Sequence, residues 1–388
     1  MFTKRITLFT LLGFEVRVDM SWIFLAVLVT WTLAAGVFPA YYPGLEVSVY
    51  WSMGVIGALG LFFSIIFHEM CHSLVARRYG LPMGGITLFL FGGVAEMKDE
   101  PANPMTEFLM AVAGPVSSLA LSLAFHVSHW VLALFGVSVA VTGVVSYLGY
   151  INLILAVFNL VPAFPLDGGR MLRAALWYWK GNLRWATRVA SRIGNGFGIL
   201  LMVFGVISLV QGNLIGGIWW FLIGMFVRGA AAMSYQQVLV RQGFEGLPVR
   251  RVMTQAPVSV PPSLTLGELV QDYFYHHYFK TFPVVENGRA VGSVSVKDVK
   301  RIPRERWGQA TVADVMTPLS SENSIRSDAD AFDALQLMTR TGNSRLVVTE
   351  GGRLAGIVAL KDMMNYLFLK LELEEREPGD LGEPFAES

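Results

Sequence analysis

The sequence has 388 residues, 54% of them hydrophobic and 15% charged, with a formal net charge of +1 and a mean hydropathy of +0.51. A soluble domain of this length carries more charge, so the composition points to a membrane protein. The balanced charge, with no basic face, argues against nucleic acid as a partner, and a single cysteine, Cys71, excludes an internal disulfide.

In chain order, Lys4 and Arg5 precede the apolar run Ile6–Phe14, which mimics the start of a signal peptide. Glu15, Arg17 and Asp19 follow at once, with no small-residue cleavage site. "FEVRVD", 14–19, alternates and is expected to form a short strand on the membrane surface. Six runs long enough to cross a hydrocarbon core are expected at 21–39, 51–76, 107–134, 138–162, 193–211 and 214–233. Basic residues fall in alternate loops: Lys4, Arg5 and Arg17; Arg77, Arg78 and Lys98; Arg170 through Arg192; then Arg228 onward. By the positive-inside rule these loops, and both termini, are cytoplasmic in a multi-pass protein of the cell membrane. "LPMGGITLFLFGGVAEM", 81–97, is short and glycine-rich, and is expected to be a re-entrant strand or hairpin on the cytoplasmic side.

The second span carries "FHEMCHS" near its inner end. Ionisable groups inside a bilayer are costly and suggest a functional site. His68 and His72, at i and i+4, project from one helix face and can share one ion. Glu69 lies about 100° round the helix, placed to reach a metal-bound water rather than the metal. This is the zinc-metalloprotease arrangement; the bland alternative is a polar pair satisfied inside a helix bundle. Zinc needs a third ligand and an open position, and "NLVPAFPLDGGR", 159–170, offers one. Pro162 and Pro165 end the fourth span, and Gly168 and Gly169 are expected to permit a tight turn that frees Asp167 to point inward. Read alone, Asp167 is as good an N-cap for the next helix. Depth favours the ligand role: His68 and His72 lie roughly 13 and 7 Å above the inner end of their span, and Asp167 lies near the inner end of the fourth. His126 and His129, roughly 28 Å up the third span, cannot join them, and Cys71 reads as a packing residue.

These residues resemble the site-2 protease family of intramembrane zinc metalloproteases. His68-Glu69-x-x-His72 lies in the second of six spans and "FNLVPAFPLDGGR" closes the fourth, while "ITLFLFGGVAEM" and "AGP" at 113–115 are similar to accessory motifs. The resemblance covers residues 1–234. It implies one zinc per chain on His68, His72 and Asp167, Glu69 as general base, and Asn159 as a holder of substrate or oxyanion. One departure is Ser118 where many members have Asn, so a polar helix contact is expected to be weaker or absent there. An extended substrate is expected to pair with the edge of the 86–91 strand.

Residues 235–248 read as a linker to a soluble half with an internal repeat. "VMTQAP" at 252–257 returns as "VMTPLS" at 315–320, and "GSVSVKDV" at 292–299 returns as "GIVALKDM" at 356–363. The two copies, 249–306 and 307–370, resemble a pair of CBS (cystathionine-β-synthase) repeats, which implies adenine-nucleotide binding and a homo-oligomer through this module. The family's Gly-x-x-Ser/Thr-x-x-Asp signature is complete at Gly292, Ser295 and Asp298; the second copy has Gly356 and Asp362 but Ala359. His276 and His277 fall in a repeat helix, and the acidic tail 371–388 is expected to be disordered.

The expected fold is therefore a polytopic α-helical membrane protein of six spans with a small membrane-associated β segment, plus a soluble α/β CBS pair. The expected function is intramembrane proteolysis of a single-span membrane protein, such as an anti-sigma or pro-sigma factor, modulated by nucleotide. The alternative is a CBS-regulated ion or metal transporter using the same residues. A transporter is expected to show repeated halves and polar groups along a path across the membrane, whereas here the ionisable groups cluster at one depth.

Overall fold

In the computed structural model, residues 5–89, 92–97 and 101–374 are described, and the chain divides into two units, Met1–Val238 and Leu239–Ser388. Six helices among the described residues are long and apolar enough to cross a membrane: Met20–Tyr41, Val47–Arg78, Pro104–Leu134, Val139–Asn159, Leu183–Val210 and Gly216–Phe244. The first consists of α1 (Met20–Thr32) and α2 (Phe38–Tyr41) on either side of a π turn. The others are α3 (Val47–Arg78), α4 (Pro104–Leu134), α5 (Val139–Asn159), α7 (Leu183–Val210) and α8 (Leu214–Phe244); the shorter α6 (Asp167–Lys180) lies between α5 and α7.

Several helices outrun the apolar windows because their ends are set by caps rather than by hydropathy. Asn103 accepts from Thr106 N at 2.9 Å and Pro104 occupies the first turn, starting α4. Asn182 accepts from Trp185 N at 2.9 Å, so α7 begins ten residues before the window at 193, in a segment whose arginines mask it. Likewise α8 runs on through residues 235–244 of the expected linker and ends at Phe244.

Helix α4 has its polarity inside out. Leu123, Val127, Trp130 and Leu134 are 52–68% exposed, while Glu107 and Ser118 are fully buried. Such a helix suits an apolar solvent with polar groups turned into the bundle.

The hairpin expected at 81–97 is β3 (Met83–Phe89) and β4 (Gly92–Met97), part of a sheet ordered β1-β2-β3-β4. Strand β2 (Phe14–Asp19) is the expected surface strand; β1 (Arg5–Leu11), in the leader-like run, is its antiparallel partner. Pairing of β2 with β3 is parallel, with Val16 opposite Ile86 and Val18 opposite Leu88. This corrects the expected substrate edge: β3 is paired on both sides, so the open edges belong to β1 and β4. Residues 90 and 91 of that segment lie outside the described residues.

The second unit contains β5 (Thr254–Gln255), then α9 (Leu266–Glu268), joined by a π turn to α10 (Tyr275–His277). Strands β6 (Thr281–Glu286) and β7 (Arg289–Ser295) and helix α11 (Val296–Val299) complete the first copy. The second copy has β8 (Thr317–Pro318), β9 (Ser324–Arg326), α12 (Ala331–Thr341), β10 (Arg345–Glu350), β11 (Arg353–Ala359) and α13 (Leu360–Glu374). One sheet, β6-β7-β11-β10-β9, runs through both copies, with β5 paired to β11 and β8 to β7. Each copy's "VMT" segment thus crosses to the other copy. Val249 and Val252 pack in the core built on α12, β10 and β11, and Val312 packs in the core built on β6 and β7. The crossing explains Gly292 and Gly356: a Cβ there would lie 2.6 Å from Thr317 O and 2.7 Å from Thr254 O, respectively. Of the expected tail, 371–374 continue α13 and the remainder lies outside the described residues.

Candidate metal centre

His68 and His72, on α3, are 4% and 5% exposed, with Nε2 atoms 3.2 Å apart. Asp167, in the first turn of α6, brings Oδ2 to 3.0 Å from His68 Nε2 and 3.2 Å from His72 Nε2. The three form the one buried His/carboxylate cluster with metal-ligand spacing among the described residues. Burial alone would raise the Asp167 carboxyl, but the imidazoles of His72 and His68, when protonated, hold it well below the usual carboxylate range.

Helix α4 orients both imidazoles without supplying a ligand. His72 Nδ1 donates to the Met110 carbonyl at 2.7 Å. A carbonyl only accepts, so the His72 Nε2 lone pair faces the cluster. His68 Nδ1 is 2.8 Å from Ser118 Oγ, which is fully buried. The polar contact expected to be weaker or absent at Ser118 is therefore present: the hydroxyl needs no longer amide to reach the ring. Between these two partners, Gly114 faces the cluster. A Cβ there would lie 2.5 Å from His68 Nε2 and closer still to His72 Nε2.

The glycines after Asp167 serve a different purpose from the one expected. Gly168 and Gly169 are helical and take no positive φ. A Cβ on Gly168 would strike the Leu160 and Val161 carbonyls, and one on Gly169 would strike the backbone of Ala163 and Phe164. They let α6 start directly against the turn that ends α5. Asp167 is also not the N-cap, since Leu166 holds that position.

Glu69 is half-buried beside the cluster, near enough for its charge to act on His72 and Arg170. Asn159 donates to Leu155 O of its own helix at 2.9 Å. His126 and His129 bind the carbonyls of Ser122 and Thr142 at 2.8 and 2.9 Å, and Cys71 is half-buried. In the second unit, Asp298 Oδ2 accepts from Ser295 N at 2.9 Å and Ser295 Oγ at 2.6 Å, a reciprocal helix cap. Its Oδ1 lies 3.5 Å from the exposed Arg301. Asp362 is exposed in the first turn of α13, with Ala359 where the first copy has Ser295. His276 and His277 stack edge to face, with ring centroids 4.8 Å apart.

The cluster suits zinc. Bonds of about 2.0–2.1 Å in a tetrahedron place ligand atoms about 3.3 Å apart, close to the spacing of the three donors. Gly114 lets the backbone of α4 approach both imidazoles closely, where any side chain would collide with them. The sequence pointed to His68, His72 and Asp167, which the fold brings together; the Met110 carbonyl, a backbone group, has no signature in the sequence.

The profile of peptidase family M50 matches residues 56–138 and 135–205, and that of the CBS domain matches 249–305 and 312–369. Rip3 of Mycobacterium tuberculosis is 35% identical over 90% of this chain and 90% of its own. The zinc metalloprotease MJ0392 of Methanocaldococcus jannaschii is 31% identical over 95% of this chain and 99% of its own. A solved site-2 protease from the same organism is 28% identical, covering 59% of this chain and 94% of that one with a TM-score of 0.42.

Proposed function

This chain belongs to peptidase family M50, the zinc metalloproteases of the site-2 type, with a C-terminal pair of CBS domains, and from that premise we propose where and how it cuts. The substrate bond lies within or near a transmembrane segment of a single-span membrane protein, of the anti-sigma or pro-sigma class. His68, His72 and Asp167 hold one zinc, and Glu69 is the general base. The observation that supports this most is the convergence of two imidazole nitrogens and a carboxylate oxygen, all within 3.2 Å, beneath a glycine.

Zinc bound there supplies Lewis acidity toward the scissile carbonyl and acidifies water. Glu69 accepts the proton of the attacking water and passes it to the leaving amine. The Met110 carbonyl, which only accepts, holds the His72 proton on Nδ1, away from the cluster, and the Ser118 hydroxyl orients the His68 ring. Asp167 supplies the anionic ligand. Asn159 would have to leave its bond to Leu155 to touch substrate.

The basic loops set the orientation: both termini and the inner ends of α3 and α5 face the cytoplasm of a cell-membrane protein. The CBS pair takes an adenine nucleotide, with Ser295 and Asp298 as the more complete site and Asp362 at the weaker one. At the first of these the ribose competes with Arg301 for Asp298.

The test is metal content. Protein purified in detergent is assayed for zinc as wild type, His72→Ala, Asp167→Ala and Glu69→Gln. About one zinc per chain in wild type and Glu69→Gln, with loss in the other two, is the expected pattern for three ligands and a separate base. Zinc retained by Asp167→Ala would refute the ligand set.

A further inference from the structure

Glu107 is the only charged residue between Pro104 and Leu166, and it is fully buried. Its Oε1 accepts from Arg173 Nε at 2.7 Å, and a second guanidinium nitrogen pairs with the same oxygen. Arg173, on α6, is 5% exposed, and its guanidinium lies 5.0 Å from the centre of the Phe164 ring. One side chain thus ties α6 both to α4 and to the turn before Asp167.

The residues of α4 that face the centre form a single stripe. Positions 107, 110, 114 and 118 are spaced three, four and four apart, which places them on one helix face. Met110 orients His72, Ser118 orients His68, and Gly114 lets the helix backbone approach both rings. Glu107 closes the set by binding the helix that carries the third ligand. On α6, Asp167, Arg170 and Arg173 follow an i, i+3, i+6 ridge, and Arg170 is attracted to Glu107, Asp167 and Glu69.

We propose that the Glu107–Arg173 pair is the positioning device for Asp167, setting the register of α6 on α4 so that its carboxylate meets both imidazoles. The inference rests on the three-ligand reading above. A pair kept for stability alone is a poor explanation, because a buried ion pair is often no better than apolar residues of the same volume. This one also leaves Glu107 Oε2 buried with no hydrogen-bond partner, a defect that calls for a reason. Metal geometry supplies it, since ligand distances tolerate only about 0.2 Å of error.

The experiment measures zinc affinity by chelator competition, together with thermal unfolding, on the full chain in detergent. Variants are E107Q, R173M and the doubly neutral E107Q/R173M. Tyr50→Phe is the control, since it removes the hydroxyl that donates to Tyr42 O and accepts from Leu45 N at the far end of α3. The expected result is a loss of zinc affinity of about 10–100-fold in all three variants, the usual size for a group that orients a ligand. The double variant removes both charges, so it should unfold near the wild-type temperature yet still bind zinc weakly. Its cobalt(II)-loaded form should show an altered visible spectrum. Wild-type affinity and spectrum in folded E107Q, which is isosteric, or in the double variant overturn the proposal. So does an equal loss in Tyr50→Phe, because any weakening of the bundle would then suffice. Absence of zinc from wild type itself would instead refute the ligand assignment.

Discussion

Gly114→Ala adds one methyl group, and the structure places it against both imidazoles of the cluster. The new carbon would lie 2.5 Å from His68 Nε2 and closer to His72 Nε2, whereas non-bonded carbon atoms settle at about 3.5–4.0 Å. The rings must therefore retreat by roughly 1 Å, several times the tolerance of about 0.2 Å for metal ligands. Neither ring is free to swing, because each is pinned through Nδ1, at 2.7 Å to Met110 O and 2.8 Å to Ser118 Oγ. Losing those two hydrogen bonds costs about 1 kcal/mol each. Overpacking adds about 1–3 kcal/mol, offset by about 1 kcal/mol from the better helix propensity of alanine. The variant should therefore fold, with a lower melting temperature, and should contain no tightly bound zinc. Gly196→Ala is the matched control, since its Cβ would meet nothing within 4 Å; it should keep its zinc. Elemental analysis of both proteins after gel filtration in detergent decides the matter. A full equivalent of zinc in Gly114→Ala would show that the two rings are not the metal ligands or that they absorb the methyl group without losing their geometry.

Ser118→Ala leaves His68 Nδ1 without its partner and should weaken zinc binding by about tenfold while sparing the fold; unchanged affinity in chelator competition would make the 2.8 Å contact incidental. On the acid side, two exposed capping carboxylates of the CBS pair matter. Glu268 is held below its ordinary value by the hydroxyl and then the N–H of Thr265, and Asp314 by the N–H and then the hydroxyl of Thr311. Because their folded values are depressed, this stabilisation is complete at neutral pH and is lost as pH falls below about 5. Thermal unfolding followed from pH 6 to pH 3 should show a shallower acid-side decline in Thr265→Val/Thr311→Val than in wild type, and parallel curves would contradict this.

What the sequence carried legibly was whatever is local or periodic. Six apolar runs, the i, i+4 histidines and a proline–glycine break beside a carboxylate each announce themselves within about twenty residues. Nonlocal pairing left no such trace. Nothing in "ITLFLFGG" tells that β2 covers one edge of β3, so the strand reads as an open edge although it is interior. The glycines at 168, 169, 292 and 356 were visible as glycines, but their reason is close approach of a distant backbone rather than a turn or a ligand. Ser118 looked like a weakened position because residue type was weighed without distance. Glu107 is the instructive omission: one carboxylate in a long uncharged stretch is the signal that buried charge in a membrane marks function.

The order of synthesis gives the dependence on α4 another meaning. The histidines emerge from the ribosome first, the helix that orients them next, and Asp167 last, 99 residues after His68. At about 5–20 residues per second the interval is roughly 5–20 s. Throughout it, the nascent protein holds the two imidazoles without the carboxylate that completes the cluster. On the three-ligand reading proposed above, a partly inserted chain has no complete centre until α6 has docked.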